Sequence, residues 1–398
     1  MTASRISLQG PLLAAALFLA TIYPGHGWLW LPVIALWALH RPALRFYAED
    51  TLLIGFVVGV AVLTFLGLSA QLAGGRPWTP SPLGYGLLVI CALLGRWINP
   101  STVRWLLVFI CLEAAVCGIQ IALKQPYVFA GQRDAILSSG ETEWGSTDLL
   151  YFNRAYGLST NSSVVAQKCM LGVMMLFAVN IRRWWRLVAA LLLAVGLYCT
   201  FNRSALIAVV FFLSLKGAAV FLRVSAKRQL QVFAILILTT AFLAVKGPQI
   251  REQFLRGNLE RSVVQESGRL GLLTAATETI AANPVVGNYS QRFEVMENGV
   301  PLHLHNSWLQ LLADHGVVGL LLIAHAVSLV RMRNLPAFLA LALYSVVQFG
   351  LFGKISLINV MFYYFMQHRH RAFRSSAMAA SPRVLPPSAM PRPPGSIA

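Results

Sequence analysis

Apolar runs of about twenty residues follow one another along almost the whole chain, and few folds accommodate that pattern. LLIGFVVGVAVLTFLGL (52–68) and WLLVFICLEAAVCGIQIAL (105–123) are two such runs. As an α-helix, about 20 apolar residues match the hydrocarbon core of a bilayer. Inside lipid a helix satisfies its own backbone hydrogen bonds, which an open strand or loop does not. The 398-residue chain is 57% hydrophobic and 12% charged, whereas a soluble domain averages about 25% charged residues. Its mean hydropathy is +0.66. The expected fold class is therefore an all-α polytopic membrane protein.

About twelve transmembrane helices are expected, near 8–23, 27–40, 51–72, 84–95, 103–123, 162–180, 185–201, 204–222, 230–246, 316–331, 335–352 and 355–367. The second, GWLWLPVIALWAL, carries a proline and interfacial tryptophans, so a kink or a re-entrant path is expected there. The first run lacks a small-residue cleavage site and is expected to remain as a span. With the N-terminus in the cytoplasm, eighteen basic residues fall in the inner segments, Arg96, Arg182, Arg183, Arg331 and Arg333 among them. Arg76, Arg203 and Lys354 are the three in the short outer loops. This bias orients the chain with both termini inside. The formal net charge of +18 is thus spread between apolar runs, not gathered on one soluble face, which argues against a nucleic-acid partner.

The expected organisation is N-terminal membrane helices (1–123), a first outer loop (124–161), central helices (162–246), a large outer loop with helices of its own (247–315), C-terminal helices (316–367) and a Pro/Ser/Ala-rich basic inner tail (368–398). In the large loop, RLGLLTAATETIAANPVVG (269–287) reads as a helix stopped by Asn283-Pro284 and Gly287. Asn306 reads as the cap of a further helix reaching Asp314. The five cysteines lie in apolar runs without metal-ligand spacing and read as free packing residues.

Groups able to do chemistry are scarce. PLHLHNSWLQLLADHGVVGL (301–320) places His303 and His305 before Asn306, and His315 follows. The spacing leaves open which histidine acts. Arg154 (in YFNRAYGLSTN), Arg203 (in CTFNRSALIA) and Arg269 (in ESGRLGL) face the same outer side. Each alone could simply snorkel to lipid phosphate, but together they suggest a site for a phosphorylated group, because guanidinium is planar and always charged. Glu141 and Glu143 read as part of a solvated loop. Glu113, Lys168 and Lys216 lie in or near spans, where a charge is a functional candidate by default. Glu113 is expected to be neutral or paired with Lys168, and Lys216 to snorkel. There is no DxD, GxGxxG or P-loop, and neither a metal nor a cofactor is expected.

These motifs are familiar as a set. HNSWLQLLADHGVVGLLL (305–322) resembles the signature of the O-antigen ligase family, a His-Asn pair followed by a leucine-bearing helix and Gly-x-x-Gly-Leu-Leu. FNRSALIA (201–208) resembles that family's arginine at the outer end of a span. SGRLGLLTAATETIAANPVVGNY (267–289) resembles its arginine-started outer helix, and RAYGLSTNSSVVA (154–166) looks like a fourth element. The likeness covers roughly 150–325. It implies a bacterial inner-membrane glycosyltransferase of the GT-C type with a periplasmic helical subdomain and a periplasmic active site. Such an enzyme moves a polysaccharide from undecaprenyl pyrophosphate to the lipid A–core oligosaccharide, without metal. By the same resemblance the catalytic base falls on His305 and the essential arginines on Arg203 and Arg269. Arg154 would assist with the pyrophosphate, and His303, Asn306 and Asn161 would support the site or the acceptor. O-antigen polymerases and protein O-oligosaccharyltransferases share the superfamily. The Arg-x10-Gly pattern of polymerases starts at none of the outer arginines, and the tail is too short for the soluble domain of the oligosaccharyltransferases. A flippase is the rival from another class, but the two related halves common in transporters are not evident.

Overall fold

The computed structural model describes residues 9–22, 27–39, 47–74, 83–125, 127–129, 131–134, 153–221, 259–297, 300–348, 350–352 and 355–367. The expected span near 230–246, most of the first outer loop with Glu141 and Glu143, the tail from 368, and His26, His40, His368 and His370 lie outside the described residues.

The described part is a helical bundle. Its helices are α1 (Gln9–Leu19), α2 (Leu31–Leu39, preceded by the 3-10 turn Gly27–Trp30), α3 (Asp50–Gly74), α4 (Leu83–Trp97) and α5 (Pro100–Leu123). Then come α6 (Ser162–Ala178), α7 (Arg183–Thr200), α8 (Arg203–Phe221) and α9 (Leu259–Ala282). After a hairpin follow α10 (Ser307–His315), α11 (Val317–Ser328), α12 (Leu335–Val347) and α13 (Leu357–Gln367). By length and composition, residues 50–69, 100–123 and 183–200 are long and apolar enough to cross a membrane, and shorter apolar helices surround them.

Helix ends follow local chemistry. Asn99 caps α5, its side chain accepting from the Thr102 N–H at 2.8 Å, with Pro100 at the first helical position, where no N–H is needed. Lys124 closes α5 in the left-handed conformation, φ 53°. α5 packs against α1, α6 and α7; α13 lies on α4 and α6, α12 on α8, and α11 on α3. One continuous apolar core joins them. A satellite core of Leu272, Ala276, Phe293, Leu304 and Ala313 holds α9, α10 and the hairpin together.

The hairpin departs from the purely helical expectation for 247–315. Strands β1 (Glu294–Glu297) and β2 (Val300–His303) pair antiparallel, Glu294 opposite His303 and Glu297 opposite Val300. In sequence they are separated by Asn298-Gly299, the dipeptide most favoured between hairpin strands. Four-residue strands with a proline (Pro301) are too short to show a clear alternation. α9 also starts ten residues before Arg269 and ends at Ala282, ahead of Asn283-Pro284.

The five cysteines are free and buried. Two ion pairs are largely buried within the described bundle. Lys168 Nζ lies 2.5 Å from Glu113 Oε2, both side chains almost fully enclosed. Lys168 also donates to Ser159 Oγ at 2.8 Å, and Glu113 Oε1 accepts from Ser159 Oγ at 3.0 Å and from the Leu158 N–H at 3.2 Å. At the other end of the bundle Arg96 pairs with Asp50 and donates to Gln367 at 2.6 Å.

Breaking a buried pair strands the surviving charge, at a cost of roughly 3–5 kcal/mol, whereas replacing both partners with apolar residues often costs little. Glu113→Gln is therefore expected to lower the unfolding temperature in detergent more than the double change Glu113→Leu/Lys168→Met. The two melting curves, recorded side by side, check this.

Candidate active site

The loop from Asn153 to Asn161 is irregular backbone at the end of an apolar bundle, so its polar groups need partners there. Several come from the neighbouring helices. Gln120 of α5 accepts from the N–H groups of Tyr156 and Gly157 at 3.1 and 2.8 Å and donates to the Gly157 carbonyl at 3.0 Å. Gln132 donates to the carbonyls of Gly157 and Ser159, at 3.0 and 2.7 Å. The Thr160 N–H reaches the Ile22 carbonyl just past α1, and the Ala155 N–H reaches the Cys199 carbonyl at the end of α7. Arg154 is thereby fixed half-buried beside the turn that carries Arg203.

That turn is tight. Phe201 ends α7 in the left-handed conformation, φ 41°. Asn202 caps α8, accepting from the Ala205 N–H at 3.0 Å, and its amide donates to Ser163 Oγ at 3.1 Å on the first turn of α6. Arg203 is the first residue of α8 and half-buried. Asn161 caps α6, its exposed side chain accepting from the Ser163 N–H at 2.8 Å. Arg154, Asn161 and Arg203 thus meet at one end of α6, α7 and α8.

His305 and Asn306 enter from the C-terminal third. Asn306 caps α10 by accepting from the N–H groups of Trp308 and Leu309 at 3.0 and 3.1 Å. Its side-chain oxygen is taken up by this cap, and His305 is the residue immediately before it. The His305 ring is half-buried, with Nδ1 enclosed. Ser307 accepts from the N–H groups of Gly350 and Leu351, at 3.0 and 3.2 Å, and Trp308 donates to the Ala342 carbonyl at 3.3 Å. A Cβ at Gly350 would meet Gln167 Nε2 at 3.0 Å, so this loop lies directly on α6, one turn beyond Ser163. Contacts through Gln167, Gly350 and Ser307 place the His305 segment at the same end of the bundle as Arg203.

Position 269 lies on α9 one turn before the buried Leu272 and two before Ala276, on the helix side that packs toward Leu304. The side chains of Arg269 and His303 lie outside the described part. His303 is in β2, two residues from His305. His325 sits at the opposite end with its Nδ1 2.8 Å from the Glu49 carbonyl oxygen.

The sequence does not reveal the network beneath His305. The Leu304 N–H donates to Gln310 Oε1 at 3.1 Å, and the Gln310 amide donates to the Phe293 carbonyl and to Asp314 Oδ1, at 3.0 and 2.8 Å. Asp314 is fully buried and also accepts from the Phe293 N–H at 2.6 Å and from Tyr85 Oη at 2.7 Å. His315 Nδ1 lies 2.9 Å from Ser290 Oγ, its ring edge-on to Tyr85 at 4.2 Å. Burial raises the Asp314 carboxyl to about 7, partly opposed by the Phe293, Tyr85 and Gln310 hydrogen bonds. Burial lowers His315 to about 3 and keeps it neutral. The one available signal is an acid four residues after a glutamine just ahead of an apolar run; Tyr85, 229 residues away, gives none.

Two motif glycines lock the base of this unit. Gly287 and Gly316 both have φ near +55°. A Cβ on Gly287 would lie 2.5 Å from the Gly316 nitrogen, and one on Gly316 would lie 2.5 Å from the Val285 carbonyl oxygen. This contact ties the Asn-Pro-x-x-Gly stop of α9 to the start of α11, and the Gly287 N–H closes on the Asn283 carbonyl at 2.8 Å.

Chemically, the arrangement offers guanidinium groups and an imidazole around a half-buried rim, suited to holding an anionic phosphate and moving a proton. Among the described residues no three His, Cys, Asp or Glu side chains gather as a metal-binding group would. Residues 147–324 match the family model described as O-antigen ligase, a stretch that contains Arg154, Asn161, Arg203, Arg269, His303, His305 and Asn306. No curated protein matches the chain.

The two buried groups give opposite pH dependences. Asp314 binds a proton more tightly folded than unfolded, so its contribution falls as pH rises from about 4 to 7. His315 binds one less tightly folded, so its contribution rises between about 3 and 6.5. They offset each other in the parent. In Asp314→Asn the histidine contribution is expected to stand alone, raising stability by up to roughly 1.4 kcal/mol per pH unit between about 4 and 6. Unfolding temperatures at pH 4.5, 5.5 and 6.5 check this against the flatter parent.

Proposed function

We propose that this chain, whose residues 147–324 match the family model described as O-antigen ligase, is an O-antigen ligase of the bacterial inner membrane. In this reading it transfers O-antigen polysaccharide from undecaprenyl pyrophosphate to a hydroxyl of the lipid A–core oligosaccharide. The site faces the periplasm, both termini are cytoplasmic, and about twelve helices span the bilayer in a GT-C-type arrangement. The observation that carries the reading is the convergence of Arg154, Arg203 and the His305 segment at one end of a membrane-type bundle, inside the matched stretch.

The chemistry follows from the residue types. The acceptor hydroxyl oxygen attacks the anomeric carbon from the face opposite the leaving group. The bond from that carbon to the pyrophosphate oxygen breaks, and its electron pair leaves with the pyrophosphate. His305 takes the hydroxyl proton, help typically worth about 10²–10⁴-fold. Arg203 and Arg269, with Arg154 beside them, bind the pyrophosphate and stabilise the charge that grows on it, so no metal is needed for that step. The anomeric configuration inverts. His303 and Asn161 flank the acceptor side, and Asn306 holds His305 at the helix cap. An O-antigen polymerase would use the same donor and the same residues with another acceptor.

Transfer measured with lipid-linked donor and purified core acceptor is expected to fall by about 10²–10⁴-fold in His305→Ala, with the protein still folded. Near-normal transfer would remove His305 from the base role. Arg269→Lys is also expected to fail, because lysine lacks the bidentate fork; full activity there would mean a single positive charge suffices.

A further inference from the structure

At the end of the bundle opposite His305, the structure holds a cavity of about 610 Å³ that the transferase reading does not use. α11 begins beside the site at Val317 and ends at Ser328, so the Arg331–Asn334 turn after it lies at the far end. The walls are the last turns of α6 and α13, the second half of α8 and the start of α12. Asn334 fastens the turn to α13, donating to the carbonyls of Leu329 and Met366 at 3.2 and 3.0 Å and accepting from the Arg331 N–H at 2.7 Å.

The lining is graded along the bundle axis. Met174 and Phe212 are buried and form the floor, and Phe177, exposed on the last turn of α6, stands edge-on against the Phe212 ring at 5.4 Å. One turn further along α8 is Lys216, its Nζ 5.9 Å from the Phe212 ring. At the mouth stand Arg331 and Arg333. Arg331 already donates to the Ser328 and Val330 carbonyls and pairs with Glu49 at 3.3 Å, so it contributes field more than new contacts. A volume of this size is in the range of ligand pockets, and snorkelling of Lys216 alone would not require it. An apolar floor under a cationic mouth matches an amphiphile whose anion sits at the membrane surface and whose chain points inward. Basic pockets between helices on the cytoplasmic side are where anionic lipid headgroups bind.

We propose that this cavity is a binding site for an anionic phospholipid, its phosphodiester held by Lys216 and Arg333 and an acyl chain lying on Met174, Phe177 and Phe212. The inference is independent of the transferase reading.

The test uses the full chain, delipidated in detergent, with native mass spectrometry and thermal unfolding as readouts. Phosphatidylglycerol is expected to bind saturably and raise the unfolding temperature. Phosphatidylcholine with the same chains, and inorganic phosphate, are expected to do neither. Lys216→Gln/Arg333→Gln is expected to weaken binding about 25-fold, roughly fivefold for each charge removed. Lys216→Arg/Arg333→Lys is expected to retain it, as is Arg183→Gln, elsewhere on the basic surface. Equal binding of phosphatidylcholine would make this an apolar groove without headgroup recognition, and an equal effect of inorganic phosphate would make the ligand a soluble anion. Either overturns the proposal, as does unchanged binding in Lys216→Gln/Arg333→Gln. If that variant does not fold, the headgroup comparison on the unsubstituted protein decides.

Discussion

Lys168 lies inside an apolar bundle, and the Glu113 carboxylate 2.5 Å away is the partner that offsets the cost of burying it. Ser159 bridges the two, so the pair also anchors the 153–161 loop against α5 and α6. From that anchor the rest of this end is built outward. Gln120 and Gln132 take up the loop's amides and carbonyls, Ala155 hydrogen-bonds to the end of α7, and Arg154 is left beside the Arg203 turn. A charge pair within the helices, which on sequence alone ranks as a candidate for chemistry, here serves as the footing of the loop that carries Arg154.

The histidine half rests on a separate foundation. Gly287 and Gly316 let the end of α9 meet the start of α11 backbone to backbone, and Gln310 and Asp314 carry that rigidity to Leu304. His305 thus follows a backbone position fixed by a buried hydrogen bond and precedes an asparagine fixed as a helix cap. In the proposed reading, preorganisation of this kind is what lets a base meet an acceptor hydroxyl. The two halves join through Ser307, Gly350 and Gln167.

Much of this was readable beforehand because it is local. Hydropathy locates apolar helices, Asn306 announces its cap, Asn283-Pro284 announces a stop, and pairing with Lys168 is one of the two states expected of Glu113 from the cost of a lone charge in lipid. The rest was not readable because it is long-range or too short to be periodic. The Tyr85–Asp314 hydrogen bond joins residues 229 apart. Two four-residue strands around Asn298-Gly299 leave little pattern in a loop otherwise punctuated as helix. The cavity at the far end exists only where α6, α8, α12 and α13 meet, so its apolar and cationic lining belongs to no single segment.

The most direct test of the central claim is to delete the gene in its host and run the lipopolysaccharide on a gel beside the undecaprenyl-linked pool. A ligase predicts bare core with long polymer stranded on the carrier. Core bearing a single repeat unit would contradict the account and make the same residues those of a polymerase.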